Sequence, residues 1–236
     1  MSSDQGAELM KRRYIFYAVF LGAVLLLFCS SVEFRSLEAK RAEARAERFN
    51  PTQYARDFWD HRLDSVLETA LGVEELIHLF NTDMDAAVRK GRTLGQSRVH
   101  AYLLKGAGKI LSMNKDGLCV SVASPEASPE ILICTGSYVS GNAIRDASGL
   151  IDVSTFSDTM KFNKISFAIN KIVVQEVIKP FQDKSPRAGM TVSFVGAAEV
   201  AEDATEEVPF GSRKQQSGSD CHYHLLKLAP IRLALE

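Results

Sequence analysis

Three residues near the C-terminus have the types and spacing of metal ligands: Cys221, His222 and His224. A thiolate and two imidazoles can fill three positions of a tetrahedral zinc site. Two histidines spaced two residues apart on a strand also lie on the same face of a sheet. However, the sequence has no fourth ligand nearby and no evident general base. A metal-dependent enzyme therefore competes with a structural or adventitious role for this cluster.

Two further cysteines, Cys119 and Cys134, fall on adjacent predicted strands at similar distances from the centre of the intervening loop. If the strand register is symmetric about that loop, the two side chains face each other. Outside the cytoplasm they could then form a disulfide. Two unpaired core cysteines are the alternative. With Cys221, the chain after residue 32 has three cysteines, so at most one intramolecular bridge can form there.

Other catalytic signatures are missing from the sequence, which has no P-loop, nucleophile elbow, dinucleotide fingerprint or paired-carboxylate spacing. We therefore expect no cofactor and, apart from the metal alternative, no enzyme activity. Without the three basic and two acidic residues before residue 33, the chain has 25 basic and 27 acidic side chains. This balance argues against a dedicated nucleic-acid binder, whose affinity depends on neutralising phosphates.

Basic charge is nevertheless uneven along the chain. Between Ala86 and Lys115 there are seven basic residues and no acidic one, whereas Glu199–Glu207 has five carboxylates and no base. This pattern predicts either a solvated dipolar surface or an anion-facing patch. The seven basic residues are Arg89, Lys90, Arg92, Arg98, Lys105, Lys109 and Lys115.

Residues 14–32 are nineteen consecutive residues without a charged side chain, directly after the basic triplet 11–13. As a helix they would reach about 28 Å, close to the ~30 Å hydrocarbon core of a bilayer. We predict an uncleaved transmembrane anchor in the inner membrane, with residues 1–13 as a short cytoplasmic tail. Basic residues flank both sides, but short N-terminal tails usually stay in the cytoplasm. The bulk of the chain is therefore expected in the periplasm.

Two alternatives treat the apolar run as a signal segment. Cleavage after Ser31 would satisfy a small-x-small rule through Cys29 and Ser31, although no polar stretch precedes that site. In the other alternative, the chain is cut before Cys29, which then carries lipid. A lipoprotein signal needs a small residue directly before that cysteine, and Phe28 argues against it.

The predicted elements after the anchor give an α+β protein. Residues 33–48 read as a solvated spacer helix, and residues 49–95 as a helical region. Residues 96–236 read as three strands, one long amphipathic helix ending at Pro180, and two strands. This order is the layout of a five-stranded oligonucleotide/oligosaccharide-binding (OB) barrel with its helix between strands 3 and 4. The strands are predicted at Val99–Met113, Leu118–Ala123, Ile131–Thr135, Met190–Val200 and His224–Leu235.

Several segments resemble an uncharacterised bacterial family of predicted periplasmic lipoproteins, domain of unknown function 2291. The run Gly141–Ala147 (GNAIRDA), followed by Gly149–Ile151 (GLI), resembles the family pattern G-T-A-L-R-D-A-x-G-F-I. The resemblance covers about residue 49 to the end. Its other segments include Phe49–Tyr54, Phe58–Asp60, Phe162–Asn170, Gly189–Ala197 and Pro230–Leu233. Two departures are Phe28 before Cys29 and a longer connection over Glu202–His222.

The resemblance implies a membrane-attached, extracytoplasmic protein with an OB-like core, often encoded beside sugar-uptake ABC transporters. Within its motifs, the polar residues Asn142, Arg145, Asp146 and Asn170 are the candidate ligand-binding residues. Arg145 would hold an anionic or hydroxylated ligand and Asp146 would orient it. A buried Arg–Asp pair and a helix-packing Asn are the structural alternative.

The function expected from these patterns is a non-enzymatic accessory or ligand-binding module, tethered to the inner membrane and facing the periplasm. Its partners would be a sugar ABC transporter component or a carbohydrate. The alternatives are an OB domain that binds single-stranded nucleic acid and the metal-dependent enzyme built on Cys221, His222 and His224. Nucleic-acid binding would need aromatic stacking platforms on a basic face, where Tyr102 and His100 are the candidates.

Overall fold

A computed structural model describes residues 16–17, 19–22, 49–122, 128–139, 141–156, 158–202, 210–212 and 224–236. The chain divides into two compact units, Met1–Phe49 and Asn50–Glu236. Among the described residues of the first unit, 16–17 and 19–22 are helical. No helix within the described ranges is long and apolar enough to span a bilayer. Cys29, the predicted spacer 33–48 and most of the predicted anchor 14–32 lie outside those ranges.

The second unit begins with a helix that Asn50 caps. Its side-chain oxygen accepts hydrogen bonds from the N–H groups of Thr52 and Gln53, and Pro51 takes the first helical position, as the sequence predicts. The helix continues through a π-helical turn, Phe58–Arg62. The helical elements of this region are α1 (Pro51–Asp57), α2 (Asp64–Leu67), α3 (Val73–Thr82) and α4 (Met84–Lys90).

In the described part of the chain, seven strands form one sheet: β1 (Leu71–Gly72), β2 (Arg92–Thr93), β3 (Val99–Met113), β4 (Gly117–Ser121), β5 (Ile131–Cys134), β6 (Thr191–Ala201) and β7 (Leu226–Leu235). The five longer strands pair in the order β3-β4-β5-β7-β6, and β6 pairs again with β3. The pairings of these five strands therefore form a closed ring. The short strands β1 and β2 add to β3, in parallel and antiparallel orientation respectively.

A second helical segment connects β5 and β6. It contains α5 (Ala143–Ser148), a 3-10 turn (Val153–Thr155), α6 (Thr159–Ile172), a π-helical turn (Val173–Ile178) and α7 (Lys179–Asp183). The predicted helix end at Pro180 is wrong, because helical structure continues to Asp183. Proline has no N–H to donate, and its ring clashes with the carbonyl four residues earlier in a regular α-helix. The π-helical turn directly before α7 replaces the regular hydrogen-bond pattern at this point.

The main hydrophobic core lies inside the strand ring and beneath α3. Side chains at alternate positions of the strands point into it, as the period of two in their sequences predicts. Phe80 of α3 packs edge-to-face on Tyr102 of β3 at 5.7 Å and on Phe210 at 5.5 Å. Buried residues of this core include Leu76, Leu104, Ile110, Val120, Ile133, Phe194 and Leu228.

The predicted bridge between Cys119 and Cys134 is wrong. The register pairs Cys119 with Leu132 and Gly117 with Cys134, so the two cysteines are not opposite each other. Cys134 is a free thiol, and burial raises its pKa. Cys119 is disulfide-bonded.

Candidate ligand-binding site

A cleft of about 350 Å³ opens between α5 and the strands β2, β3 and β6. The helix α5 packs against all three strands. The volume falls within the range of about 300–1,000 Å³ that is usual for small-molecule sites. The residues that line the cleft are Arg92, Leu94, Ser97, Val99, Ala101, Asn142, Arg145, Asp146, Asn163 and Glu199.

Glu199 on β6 provides a carboxylate in the cleft, next to the N-terminus of α5. Its position follows from the β3–β6 register, in which Glu199 is opposite Ala101. Burial raises the pKa of Glu199 above its usual range, and the negative charge of Asp146 raises it further. The N–H of Asn142 donates a hydrogen bond of 3.3 Å to Oε2 and opposes this effect. The carboxyl group therefore holds its proton more tightly than an exposed glutamate does.

Arg145 of α5 is buried, and described residues engage four of its five N–H groups. Its Nε and Nη2 donate to the two carboxylate oxygens of Asp146 at 2.6 and 3.0 Å. Nη1 donates to the carbonyl of Phe162 and to Oδ1 of Asn163, each at 3.3 Å. The guanidinium also lies 3.7 Å from the ring centroid of Phe162. Because four N–H groups and one face of the guanidinium are used in these contacts, Arg145 mainly fixes α5 against α6.

Arg92 of β2 is the exposed cation of the cleft. Within the described part of the chain its guanidinium has no hydrogen-bond or ion-pair partner. The guanidinium passes over Gly149, where an added Cβ would lie 2.3 Å from Nη1. Gly149 also has a φ of +64°, which favours glycine at this helix end. Because Gly149 has no side chain, the Arg92 guanidinium can occupy this space.

Gly141 and Asn142 shape the other wall. Gly141 has a φ of +92°, and a Cβ there would lie 2.9 Å from Oε2 of Glu199. Asn170 of α6 donates from Nδ2 to the Gly141 carbonyl at 3.0 Å. The side chain of Asn142 caps no backbone N–H of α5, and it lines the cleft.

The structure brings three of the four predicted binding residues together, since Asn142, Arg145 and Asp146 all line the cleft. Asn170 lies behind them and positions Gly141. Sequence reasoning missed Glu199 as a site residue because it begins an acidic run that was interpreted as a solvated surface. Arg92 belonged to the predicted basic stretch, but no pattern connected it with residues 141–146.

Two other residues of the predicted basic stretch are engaged by carboxylates. Lys90 pairs with Glu75 at 3.4 Å, and Arg98 pairs with Glu202 at 3.0 Å. An anion-facing patch therefore has fewer unpaired cations than the sequence implies.

The predicted metal ligands Cys221 and His222 lie outside the described residues. His224 stacks on Phe210 with the ring centroids 4.7 Å apart. In the described ranges, no group of three or more His, Cys, Asp or Glu side chains is arranged to hold a metal ion.

The two side chains proposed as nucleic-acid stacking platforms are buried. Tyr102 is 2% exposed and His100 is 6% exposed. The Tyr102 hydroxyl donates to the carbonyl of Ala87 at 3.1 Å, and His100 Nε2 lies 2.8 Å from Glu202 Oε1. Bases cannot stack on rings that are already enclosed, so this interpretation of the two residues is wrong.

Residues 22–210 match the family model described as "Predicted periplasmic lipoprotein (DUF2291)". The chain belongs to this family. The match agrees with the resemblance seen in the motifs around Gly141 and Gly189. The family description places its members in the periplasm as lipoproteins by prediction, and it gives them no activity. A search of curated proteins finds no match.

Among solved structures, the chain is similar to a crystal structure of an OB-fold protein from Thermotoga maritima MSB8. The TM-score is 0.62 at 22% sequence identity, and the match covers 80% of this chain and 100% of that chain. At this identity the similarity shows the fold alone. It supports the α+β architecture with OB topology that the order of strands and helices predicts.

Proposed function

We propose that this DUF2291 protein is a non-enzymatic, membrane-attached periplasmic module whose cleft binds a small, uncharged, hydroxylated molecule of the monosaccharide class. The observation that carries the proposal is that one cleft contains both the exposed Arg92 guanidinium, which no described residue engages, and the half-buried Glu199 carboxyl. The family description supports the compartment. Anchoring through residues 14–32, lipidation at Cys29 and a sugar ABC transporter as partner are predictions within this proposal.

The charges in the cleft favour an uncharged ligand. Its four ionisable lining residues are Arg92, Arg145, Asp146 and Glu199, whose formal charges cancel when both carboxyls are ionised. A strongly charged ligand would meet no net opposite charge there. A hydroxyl group both donates and accepts, so it can satisfy a guanidinium and a carboxylate at once. Leu94, Val99 and Ala101 supply apolar contacts for the carbon face of such a ligand.

The cleft is also poorly suited to acid–base catalysis. Two-carboxylate hydrolases need an acid and a second carboxylate that is available as base or nucleophile. Here Asp146 is held by Arg145 on both oxygens. Only Glu199 is left with an oxygen that the described residues do not engage. Binding without turnover is therefore the function that the geometry supports best.

A thermal shift assay of the full chain with a panel of neutral monosaccharides tests the proposal. A sugar at 100 times its Kd should stabilise the folded state by about 2.7 kcal/mol, which raises the unfolding midpoint by roughly 5–10 °C for a domain of this size. Arg92→Gln should lose most of this shift. Arg187→Gln, which changes an exposed arginine outside the cleft, should keep it. If no sugar raises the midpoint, or if Arg92→Gln responds like the wild type, the proposed function is wrong.

A further inference from the structure

The solvent-facing side of α6 carries large apolar side chains between lysines. Met160, Lys164, Phe167 and Lys171 are spaced four, three and four residues apart, which places them on one stripe of a helix. We call these four residues the α6 stripe. Met160 is 61% exposed and Phe167 is 50% exposed. The opposite side of α6 is buried against the rest of the folded unit, and none of its buried residues belongs to the stripe.

The stripe is positively charged without nearby compensation on its own helix. Residues 159–175 contain no acidic side chain, and Lys161 adds a third lysine. Asp158, just before the helix, is engaged as its N-cap and accepts a hydrogen bond of 2.7 Å from the N–H of Met160. Glu176, just after it, pairs with Arg56. A surface of this charge complements an anionic one.

The arrangement of the two residue types fits a lipid surface. Helices that lie in a membrane interface present cations on the headgroup side and bulky apolar side chains toward the acyl chains. Lysine can extend its ammonium toward phosphates while its alkyl stem covers apolar surface. Here the ammonium of Lys171 lies 4.7 Å from the ring centroid of Phe167. The aromatic ring of Phe167 and the ammonium of Lys171 are therefore in contact on the helix surface.

The chain length between the predicted anchor and α6 permits this contact. The spacer 33–48 has sixteen residues and reaches at most about 55 Å when fully extended. The folded unit begins at α1, and Tyr54 of α1 packs on Phe156 at 5.7 Å. Phe156 in turn packs on Phe162 of α6 at 5.7 Å. The chain thus enters the folded unit beside α6.

From charge complementarity and this reach, we infer that the α6 stripe docks on the anionic lipid headgroups of the membrane that holds the protein. The inference depends on the membrane attachment in the proposed function and does not depend on the ligand of the cleft. Docking would hold the folded unit at the membrane surface in one orientation.

Tryptophan quenching in nanodiscs tests the inference on the full chain. The chain has one tryptophan, so Trp59→Phe gives a silent background, and Phe167→Trp then reports on the stripe. Met113→Trp is the matched control, because Met113 is 48% exposed and lies at the end of β3. Each reporter is reconstituted into discs of phosphatidylglycerol or phosphatidylcholine, with or without bromine on the acyl chains.

Brominated phosphatidylglycerol should quench Phe167→Trp and shift its emission to the blue, and it should leave Met113→Trp unchanged. Quenching should fall in phosphatidylcholine, in Lys164→Gln/Lys171→Gln, and when salt rises from 0.1 to 1 M, since the Debye length drops from about 10 to about 3 Å. Equal emission with and without bromine in disc-bound protein overturns the inference alone. Failure to co-purify with discs overturns the proposed attachment as well. A change in Phe167→Trp emission with single-stranded oligonucleotide, but none with lipid, would assign the stripe to nucleic acid instead.

Discussion

Glu199 is the residue whose chemistry most distinguishes the cleft from an ordinary surface. Its carboxyl is half-buried near Asp146, and among the described residues it accepts one backbone N–H and has no cation in an ion pair with it. A folded state that retains an ionised carboxyl in such a place gives up stability for it. The expected benefit is an acceptor that is already desolvated when a hydroxyl group arrives.

Replacement of Glu199 by Gln should therefore stabilise the unliganded protein at neutral pH. The raised pKa means that the folded state binds the proton more tightly than the unfolded state. The stability that the protonated carboxyl contributes is fully present below the pKa that Glu199 has in the unfolded chain. It is lost as the pH rises through the raised pKa of the folded state. Gln mimics the protonated form, so the gain should be larger at pH 8 than at pH 4.

Urea unfolding at both pH values measures this difference, and Glu74→Gln on an exposed helix position is the control. The expectation fails if the free energy of unfolding changes by the same amount at pH 4 and pH 8 in Glu199→Gln.

Gly141 provides a second test at the residue scale, because Gly189 is a matched control for its backbone. Gly141 has a φ of +92° and Gly189 has a φ of +93°. An added Cβ would approach Glu199 at residue 141, whereas at residue 189 it would meet nothing within 4 Å. Alanine at either position should cost about 1–3 kcal/mol of backbone strain.

Gly141→Ala should cost more than Gly189→Ala, and it alone should weaken ligand binding, since it displaces the Glu199 carboxylate. Denaturant unfolding gives the two stability losses, and the thermal shift with sugar gives binding. Equal losses with intact binding in both variants would show that Gly141 is needed only for its backbone conformation.

At the scale of elements, the cleft depends on how α5 is fixed to α6 and to the sheet. Arg145 connects α5 to Phe162 and Asn163 of α6, and Asn170 connects α6 to the carbonyl of Gly141. These contacts determine the distance between the α5 N-terminus and Glu199 on β6. The polar residues of the GNAIRDA motif thus hold α5 in place in addition to lining the cleft.

Arg145→Met should destabilise the protein strongly, because it leaves the Asp146 carboxylate, only 16% exposed, without its bidentate partner. Breaking one side of a buried ion pair costs about 3–5 kcal/mol. Arg187→Met, at an exposed position, should change stability by no more than about 0.5 kcal/mol. Denaturant unfolding compares the two variants. A loss below 1 kcal/mol in Arg145→Met would mean that the α5–α6 connection does not depend on this pair.

The helices and strands could be predicted from the sequence, whereas the contacts between them could not. Alternating apolar residues located β3–β7, and Asn50, Pro51 and their neighbours located α1. Register depends on long-range pairing, so the symmetric alignment assumed for Cys119 and Cys134 was wrong. In the same way, Arg92 and Glu199 line one cleft because β2 and β6 both pair with β3 beneath α5. No local pattern contains that information.

At the scale of the whole molecule, the disulfide at Cys119 relates the fold to its compartment. Disulfides persist in oxidising compartments such as the periplasm, in agreement with the family description. A free, half-buried Cys134 together with an oxidised Cys119 makes a specific prediction for thiol counts.

The thiol count is measured on protein that is precipitated with acid from intact cells, denatured without reductant and labelled with a mass-tagged maleimide. Two substitutions should change this count in opposite directions. Cys134→Ser should lower the count by one thiol, since it removes the free cysteine. Cys119→Ser should raise the count by one, since it releases the bridge partner. The one remaining cysteine, which is neither Cys134 nor part of the bridge, contributes equally to both comparisons. A lower count in Cys119→Ser would mean that Cys119 is reduced in cells.

The binding function of the cleft is tested most directly by saturation-transfer difference NMR with a mixture of neutral monosaccharides and the full chain. This measurement detects weak binding and shows which ligand protons contact the protein. The wild type and Arg187→Gln should transfer saturation to the ring protons of at least one sugar. Arg92→Gln, which removes the guanidinium of the cleft, should not. No transfer in the wild type, or equal transfer in Arg92→Gln, would contradict the assignment of this cleft as the ligand-binding site.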